Sequence, residues 1–216
     1  MKIRWFGHSC FYMISDSGIK ILTDPFAQQV GYKIPDVEVD IVTVSHNHYD
    51  HNNIKVVKGQ FEFFNSTGLH ENKGIKIKGI SSFHDEVKGA KRGINIIFVM
   101  DIDGLRVCHL GDLGHIVDEQ ILSEIGQVDV LMIPVGEIFT LYVQEAKEVV
   151  KLIKPKITIP MHYKTPDLSF ELANVQEFTK LFEPARVKKL QDLELEIKKV
   201  QDYEGNIILM KYKQDY

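Results

Sequence analysis

The sequence predicts an α/β fold of two packed sheets with helices on their outer faces. Three observations predict it. The first third is a run of short strand-like stretches joined by tight turns. The middle alternates strand, helix, strand, helix. The chain then closes on further strands. Antiparallel strands that each have one apolar face must bury it against a second layer, and helices placed outside complete the packing.

Taken in order, residues 2–6, 10–14 and 19–23 read as strands, with Asp16-Ser17-Gly18 turning the hairpin between the last two. Thr23-Asp24-Pro25 ends the third, because proline has no N–H to give a ladder. Residues 41–44, Ile-Val-Thr-Val, read as a buried strand. Strands follow at 61–64 and 74–82. A second hairpin, 93–102 with 105–110, is turned by Asp103-Gly104, a strong two-residue turn signal. After Gly111 the pattern predicts a helix at 118–125, a strand at 128–135, a helix at 143–153, a strand at 156–161 and a helix at 168–182. Residues 194–200 and 206–212 are expected to pair as closing strands, helped by Gly205-Asn206. No short repeat period appears, and residues 1–216 read as one domain.

Composition narrows the function. At 216 residues the chain can bury roughly 70% of its unfolded surface. Hydrophobic residues at 44% and charged residues at 26% are ordinary for a globular protein. The apolar runs fall far short of a membrane helix, and no secretory leader is visible, so a cytoplasmic protein is expected. The net charge of −4, from 26 Lys+Arg and 30 Asp+Glu, argues against nucleic acid as a partner and for a small-molecule substrate. Nothing in the sequence fixes an oligomeric state, and a homo-oligomer stays open. Cys10 and Cys108 form no C-x-x-C pair and are expected to be buried, reduced thiols.

The nine histidines are not scattered. Ser45-His46-Asn47-His48-Tyr49-Asp50-His51 follows directly on the predicted strand 41–44. Leaving a strand in extended form, residues i and i+2 point the same way. His46 and His48 can therefore face one ion. A turn, expected to open a short helix near Asn52, offsets Asp50 and His51 toward a second. Imidazole and carboxylate suit zinc and other first-row divalent ions. A site without thiolate ligands has the donor chemistry of a catalytic rather than a structural metal.

H-x-H-x-D-H after a hydrophobic strand resembles the signature of the metallo-β-lactamase superfamily. Other stretches resemble its remaining motifs in order: Thr23-Asp24-Pro25, Phe83-His84-Asp85, His109-Leu110-Gly111-Asp112 and Pro160-Met161-His162-Tyr163. Gly7-His8-Ser9 and Met161-His162-Tyr163 are similar to the UlaG-like branch, which includes L-ascorbate-6-phosphate lactonase. The resemblance implies a four-layer αβ/βα sandwich and a metal-dependent hydrolase with two divalent ions. Zinc is the first expectation, and manganese, iron or nickel accept the same donors. His46, His48 and His84 would hold one ion; Asp50, His51 and His162 the other; Asp112 would bridge them.

Two such ions can share a hydroxide and polarise a substrate oxygen, so a small ester, lactone or phosphoester is the expected substrate. Besides Asp50 and Asp112, His8 is expected near the ions in substrate binding or proton transfer. His115 is expected to reach the site from its loop as a substrate contact or an acid–base helper. Asp24 fits a carboxylate that orients a ligand imidazole. His109 fits a partner behind the ligands, and His70 reads as exposed. Alternatives are a nuclease or phosphodiesterase of the same fold and a metal-binding module without turnover. The stretch His84-Asp85-Glu86-Val87 departs from the H-x-x-G loop of the β-lactamases and thiolesterases, which argues against those activities. Loops 26–35, 86–92 and 139–142 surround the site but carry no readable motif.

Overall fold

A computed structural model describes residues 1–212. The N-terminal strands are β1 (Lys2–Gly7), β2 (Cys10–Ile14), β3 (Lys20–Thr23), β4 (Ile41–Thr43) and β5 (Glu62–Phe64). Next come β6 (Gly68–Asn72), β7 (Ile75–Phe83), β8 (Ile94–Ile102) and β9 (Leu105–His109). Helix α1 (Glu119–Ile125), β10 (Val130–Pro134), α2 (Val143–Ile153) and β11 (Ile157–Met161) supply the predicted alternation. Helix α3 (Val175–Thr179), β12 (Val187–Lys189), β13 (Glu194–Glu196) and β14 (Asn206–Leu209) finish the described chain. One sheet has the order β13-β1-β2-β3-β4-β5, the other β12-β14-β11-β10-β9-β8-β7-β6.

Period-2 alternation divides the first sheet between two cores. Ile3, Trp5, Phe11, Met13, Ile21 and Ile41 point into the core shared with the second sheet. Phe6, Tyr12, Leu22 and Val42 point the other way, toward Phe26, Val30, Tyr32, Leu168 and Leu172. Each such side chain, fully buried, contributes about 1.5–3 kcal/mol. The buried faces of α1, α2 and α3 all join the cluster that takes in both faces of the second sheet, so the cover over the first sheet's outer face comes from non-helical chain and short 3-10 turns. Cys10 and Cys108 are free and buried, one in each core, and burial pushes both thiols up. Among the described residues no helix is long and apolar enough to cross a membrane.

Three expectations are corrected. Residues 168–182 are not one helix. Leu168 and Leu172 fill the outer core while Val175 and Phe178 fill the shared one, and a single helix cannot serve both. The Lys164 ammonium also takes the carbonyls of Leu168 and Phe170, so only α3 remains helical. The closing strands do not pair with each other: β13 pairs antiparallel with β1, and β14 runs parallel to β11 and β12 in the other sheet. The helix expected near Asn52 is a 3-10 turn, Ile54–Val56. Strand β6 carries no apolar signal in the sequence because it is polar, as edge strands often are. Its hairpin turns on Lys73 and Gly74, both with positive φ.

The topology also decides where chemistry can occur. β1, β3 and β4 run in one direction in the first sheet, and β7, β9, β10 and β11 share a direction in the second. The motif residues lie just past the carboxyl ends of these strands, the end where sheets of this kind bind ligands.

Candidate metal centre

The loops past β1, β3, β4, β7, β9 and β11 bring together His8, Asp24, His46–His51, His84, Asp112 and His162. Three groups of donors converge: His46, His48 and His84; His8, Asp50, His51 and His162; and His46, His51 and Asp112, which joins the other two. The hub is Asp112 Oδ2. It lies 3.1 Å from His162 Nε2, 3.2 Å from His51 Nε2, 3.3 Å from His84 Nε2 and 3.8 Å from His46 Nε2. Burial opposes charge on Asp112, but His162 and His51 outweigh it and hold its carboxyl well below the usual range. Burial would likewise depress His51, but Asp112, then Asp24 and Asp50, hold it well above its ordinary value.

Asp24 orients two of the imidazoles. Its Oδ2 accepts from His51 Nδ1 at 2.9 Å and from the Ser45 hydroxyl at 2.7 Å. Ser45 Oγ in turn accepts from His46 Nδ1 at 2.9 Å. With its proton on Nδ1 and no other, each ring presents the Nε2 lone pair, and for His51 a bound cation would have to displace a proton first. On the other side His8 Nε2 donates to Asp50 Oδ2 at 3.1 Å. Burial, reinforced by His162, pushes His8 down to about 4, so it is neutral near pH 7. Burial and His51 similarly push His46 down to about 3.

His46 Nε2, His51 Nε2, His84 Nδ1, His8 Nδ1, His162 Nδ1 and Asp112 Oδ1 are buried without hydrogen-bond partners. Each such group costs about 1–3 kcal/mol if left unpaired. Three of them, on His46, His51 and Asp112, belong to residues whose donor atoms converge, the arrangement a divalent cation relieves. The residues therefore fit metal ions.

The backbone is strained around these donors. His8, Asp24 and His162 have φ of 51°, 40° and 53°, a region L-residues adopt at a cost of order 1–3 kcal/mol. Gly111 (φ 56°) permits the turn into Asp112, and a Cβ there would lie 2.3 Å from Asn95 Oδ1 and 2.6 Å from Ser45 Cβ.

Two supporting residues, Asn95 and Asp85, are assigned no role by the sequence, while His109 takes the supporting place expected of it. Buried Asn95 accepts from the Asp112 N–H through Oδ1 and donates to the Leu110 carbonyl and Ser82 Oγ through Nδ2. Its signal was a lone amide inside the apolar run 94–100. Asp85 accepts four backbone N–H bonds, from Val87, Gly89, Lys91 and Arg92, and so shapes the loop after His84. His109 donates through Nε2 to the Ser9 carbonyl and accepts from the Gly111 N–H through Nδ1, tying the His8 turn to the Asp112 turn. His115 is not brought into the cluster. Its Nε2 accepts from the Phe83 N–H and its Nδ1 donates to the Ile116 carbonyl, so both ring nitrogens serve the backbone. His70 stacks against Phe64, away from the site.

Similarity to known proteins identifies the family. The profile of the β-lactamase superfamily domain matches residues 2–162. A UPF0173 metal-dependent hydrolase of Methanosarcina mazei is 33% identical over 215 residues, covering 85% of this chain and 91% of the relative. A Thermotoga maritima crystal structure, described as a Zn-dependent hydrolase of the metallo-β-lactamase superfamily, superposes with a TM-score of 0.83. It is 41% identical and covers 98% of this chain and 99% of its own. A metallo hydrolase from Ignicoccus hospitalis, at 20% identity and a TM-score of 0.68, covering 99% of this chain and 96% of its own, shares the fold. The chain therefore belongs to the metallo-β-lactamase superfamily and, within it, to the UPF0173 metal-dependent hydrolases.

Proposed function

We propose that this metal-dependent hydrolase works with two divalent cations, zinc first, and cleaves a small ester, lactone or phosphoester. The observation that carries the reading is Asp112. Its carboxylate stands between the His46/His84 imidazoles and the His51/His162 imidazoles, where one oxygen can serve both. His46, His48 and His84 would hold one ion. Asp50, His51 and His162 would hold the other. When bound, such a pair acidifies water and polarises the substrate's oxygen.

The chain's own residues supply the rest. Asp24 and Ser45 fix the rings of His51 and His46. Neutral His8 holds Asp50 by an N–H donated from Nε2, so we assign it to orienting that carboxylate. We assign His115 no part in the chemistry. The likeness to the lactonase branch rests on the stretches 7–9 and 161–163 alone, so a lactone is one member of the proposed substrate class. Cleavage of a small molecule rather than nucleic acid remains our reading from the net charge of −4.

The test is metal content together with turnover. Purified protein is expected to carry about two equivalents of a first-row divalent ion and to hydrolyse members of a panel of p-nitrophenyl esters, lactones and phosphoesters. Protein that can be loaded with no metal, or loaded protein inert on the whole panel, would overturn the reading.

A further inference from the structure

A cavity of about 1040 Å³ opens beside the cluster, lined by His46 and His48 and also by Arg92. That volume lies at the upper end of the range for small-molecule sites. Asn47, Asn65, Ser66 and Thr67 give its wall neutral hydrogen-bonding groups, and among the described residues no Asp, Glu or Lys lines it. Arg92 is therefore the residue of fixed charge among those that line it, its guanidinium resting at the rim beside Ile138 and Phe139.

The guanidinium is held rather than loose. It lies over the Phe139 ring at 5.4 Å, and Nη2 donates to the Ile138 carbonyl at 3.3 Å. The Arg92 backbone N–H is fixed on Asp85 at 2.7 Å. Phe139 meets Phe170 at 6.3 Å, and Phe170 meets His8 at 5.6 Å, so the support runs back to the donor cluster. Among the described residues no carboxylate pairs with Arg92, and most of its five N–H donors are unspent. A partly buried guanidinium normally finds an anion, and its fork matches an oxyanion in particular.

We propose that Arg92 is the anion-binding group of the substrate cleft, and that the substrate carries a carboxylate or phosphate away from the bond that is cleaved. The substrate part of this proposal rests on the hydrolase reading; the anion site does not. A structural role for Arg92 is the rival, in which it merely ties loop 85–92 to loop 136–142.

The test compares wild-type, Arg92→Gln and Arg92→Lys proteins, each as purified. Calorimetric titration with benzylphosphonate and with phenylacetate is set against titration with neutral diethyl benzylphosphonate. The phosphonate and carboxylate arms show which oxyanion is preferred. Arg92→Gln is expected to weaken at least one anion by about 10- to 100-fold, the scale of a charge-assisted hydrogen bond, and to leave the neutral probe unchanged. Arg92→Lys is expected to fall between, because charge survives and the fork does not. Equal anion binding in wild type and Arg92→Gln overturns the proposal, as does a wild type that binds neither anion. So does a lowered melting temperature as the sole effect.

Kinetics separate this proposal from the hydrolase reading. Arg92→Gln is expected to raise KM for mono-p-nitrophenyl succinate and not for p-nitrophenyl acetate. Turnover of both esters with no change in the variant refutes the anion site alone. Turnover of neither refutes the hydrolase reading, and the titrations still decide the anion site.

Discussion

His46, His48 and His84 form a half of the cluster with no carboxylate of its own, and His46 and His48 line the open cleft. Asp50, His51, His162 and His8 form the other half, with one carboxylate inside it and Asp24 behind it. His48 is partly exposed, whereas His8, His51 and His162 are buried. The two halves share Asp112. Two cations placed here would therefore meet unequal surroundings, since opposite charges attract far more strongly where water is excluded. The deep half should hold its ion more tightly, and the cleft half should exchange its ion and face the substrate.

The largest expected effect comes from the shared group. Asp112→Ala should remove the bridge, drop metal content below two equivalents and reduce turnover by about 10²- to 10³-fold, the scale for losing a main transition-state stabiliser. A variant that keeps both ions and near-normal turnover would deny Asp112 the central place. His48→Ala and His162→Ala sharpen the contrast between halves. His48→Ala should release one equivalent and retain the other, and His162→Ala should weaken the tighter one, both read by metal analysis after dialysis. Identical losses in the two variants would erase the proposed asymmetry.

Asp24→Ala should act less strongly, lowering metal affinity by about 10- to 100-fold, as removing a carboxylate behind a ligand imidazole does. Ser45→Ala breaks only the relay to His46, so its smaller loss should fall on the cleft half. Protons should compete at the deep half. His51 in the metal-free chain is held well above 6.5, so a cation there displaces a proton. Apparent affinity should rise with pH until the raised His51 value is passed and level off beyond it, with proton release seen as a dependence of calorimetric heat on buffer. The sign for stability is opposite: a raised imidazole stabilises below its unfolded pKa and loses that contribution as pH climbs through its folded value. Melting temperatures of metal-loaded and metal-free protein should therefore separate as pH rises.

How much of this was legible in the sequence differs between the same two halves and their supports. His46, His48, Asp50 and His51 were readable because strand geometry fixes which way i and i+2 face. His84, Asp112 and His162 were readable only through resemblance, since no local rule brings three distant strand ends to one point. Asn95 and Asp85 were missed because their work is to bond backbone N–H groups whose positions exist only after folding. Proximity in sequence to Asp112 suggests a role for His115 but says nothing about what its nitrogens meet, which is the backbone of Phe83 and Ile116. Leu168, Leu172 and Val175 have the i, i+4, i+7 spacing of a helix face, yet they serve two different cores. Periodicity cannot reveal that the chain changes layers between them.

The smallest expected effect tests whether the cleft half depends on its loop rather than on its ligands. Asp85 is held down to about 2 although burial opposes its charge, because the N–H groups of Arg92, Gly89, Lys91 and Val87 all point at its carboxylate. A carboxyl whose folded pKa lies below its unfolded value stabilises the protein above the unfolded value, near 3.8, and loses that contribution as pH falls toward 2. Asp85→Asn offers those donors one acceptor oxygen in place of two and turns an NH₂ group against the rest. The variant should therefore melt below wild type near neutral pH, and the gap should narrow between about pH 4 and pH 2 as the wild-type carboxyl takes up its proton. Metal content should stay near two equivalents, because Asp85 touches no donor of the cluster, while KM for an anionic ester should rise as Arg92 loses its anchor. A gap constant across that pH range would mean that shape rather than charge holds the loop. Loss of the cleft-side ion would mean that loop and ligands are one unit, and the two halves would then differ in their supports more than in their charge.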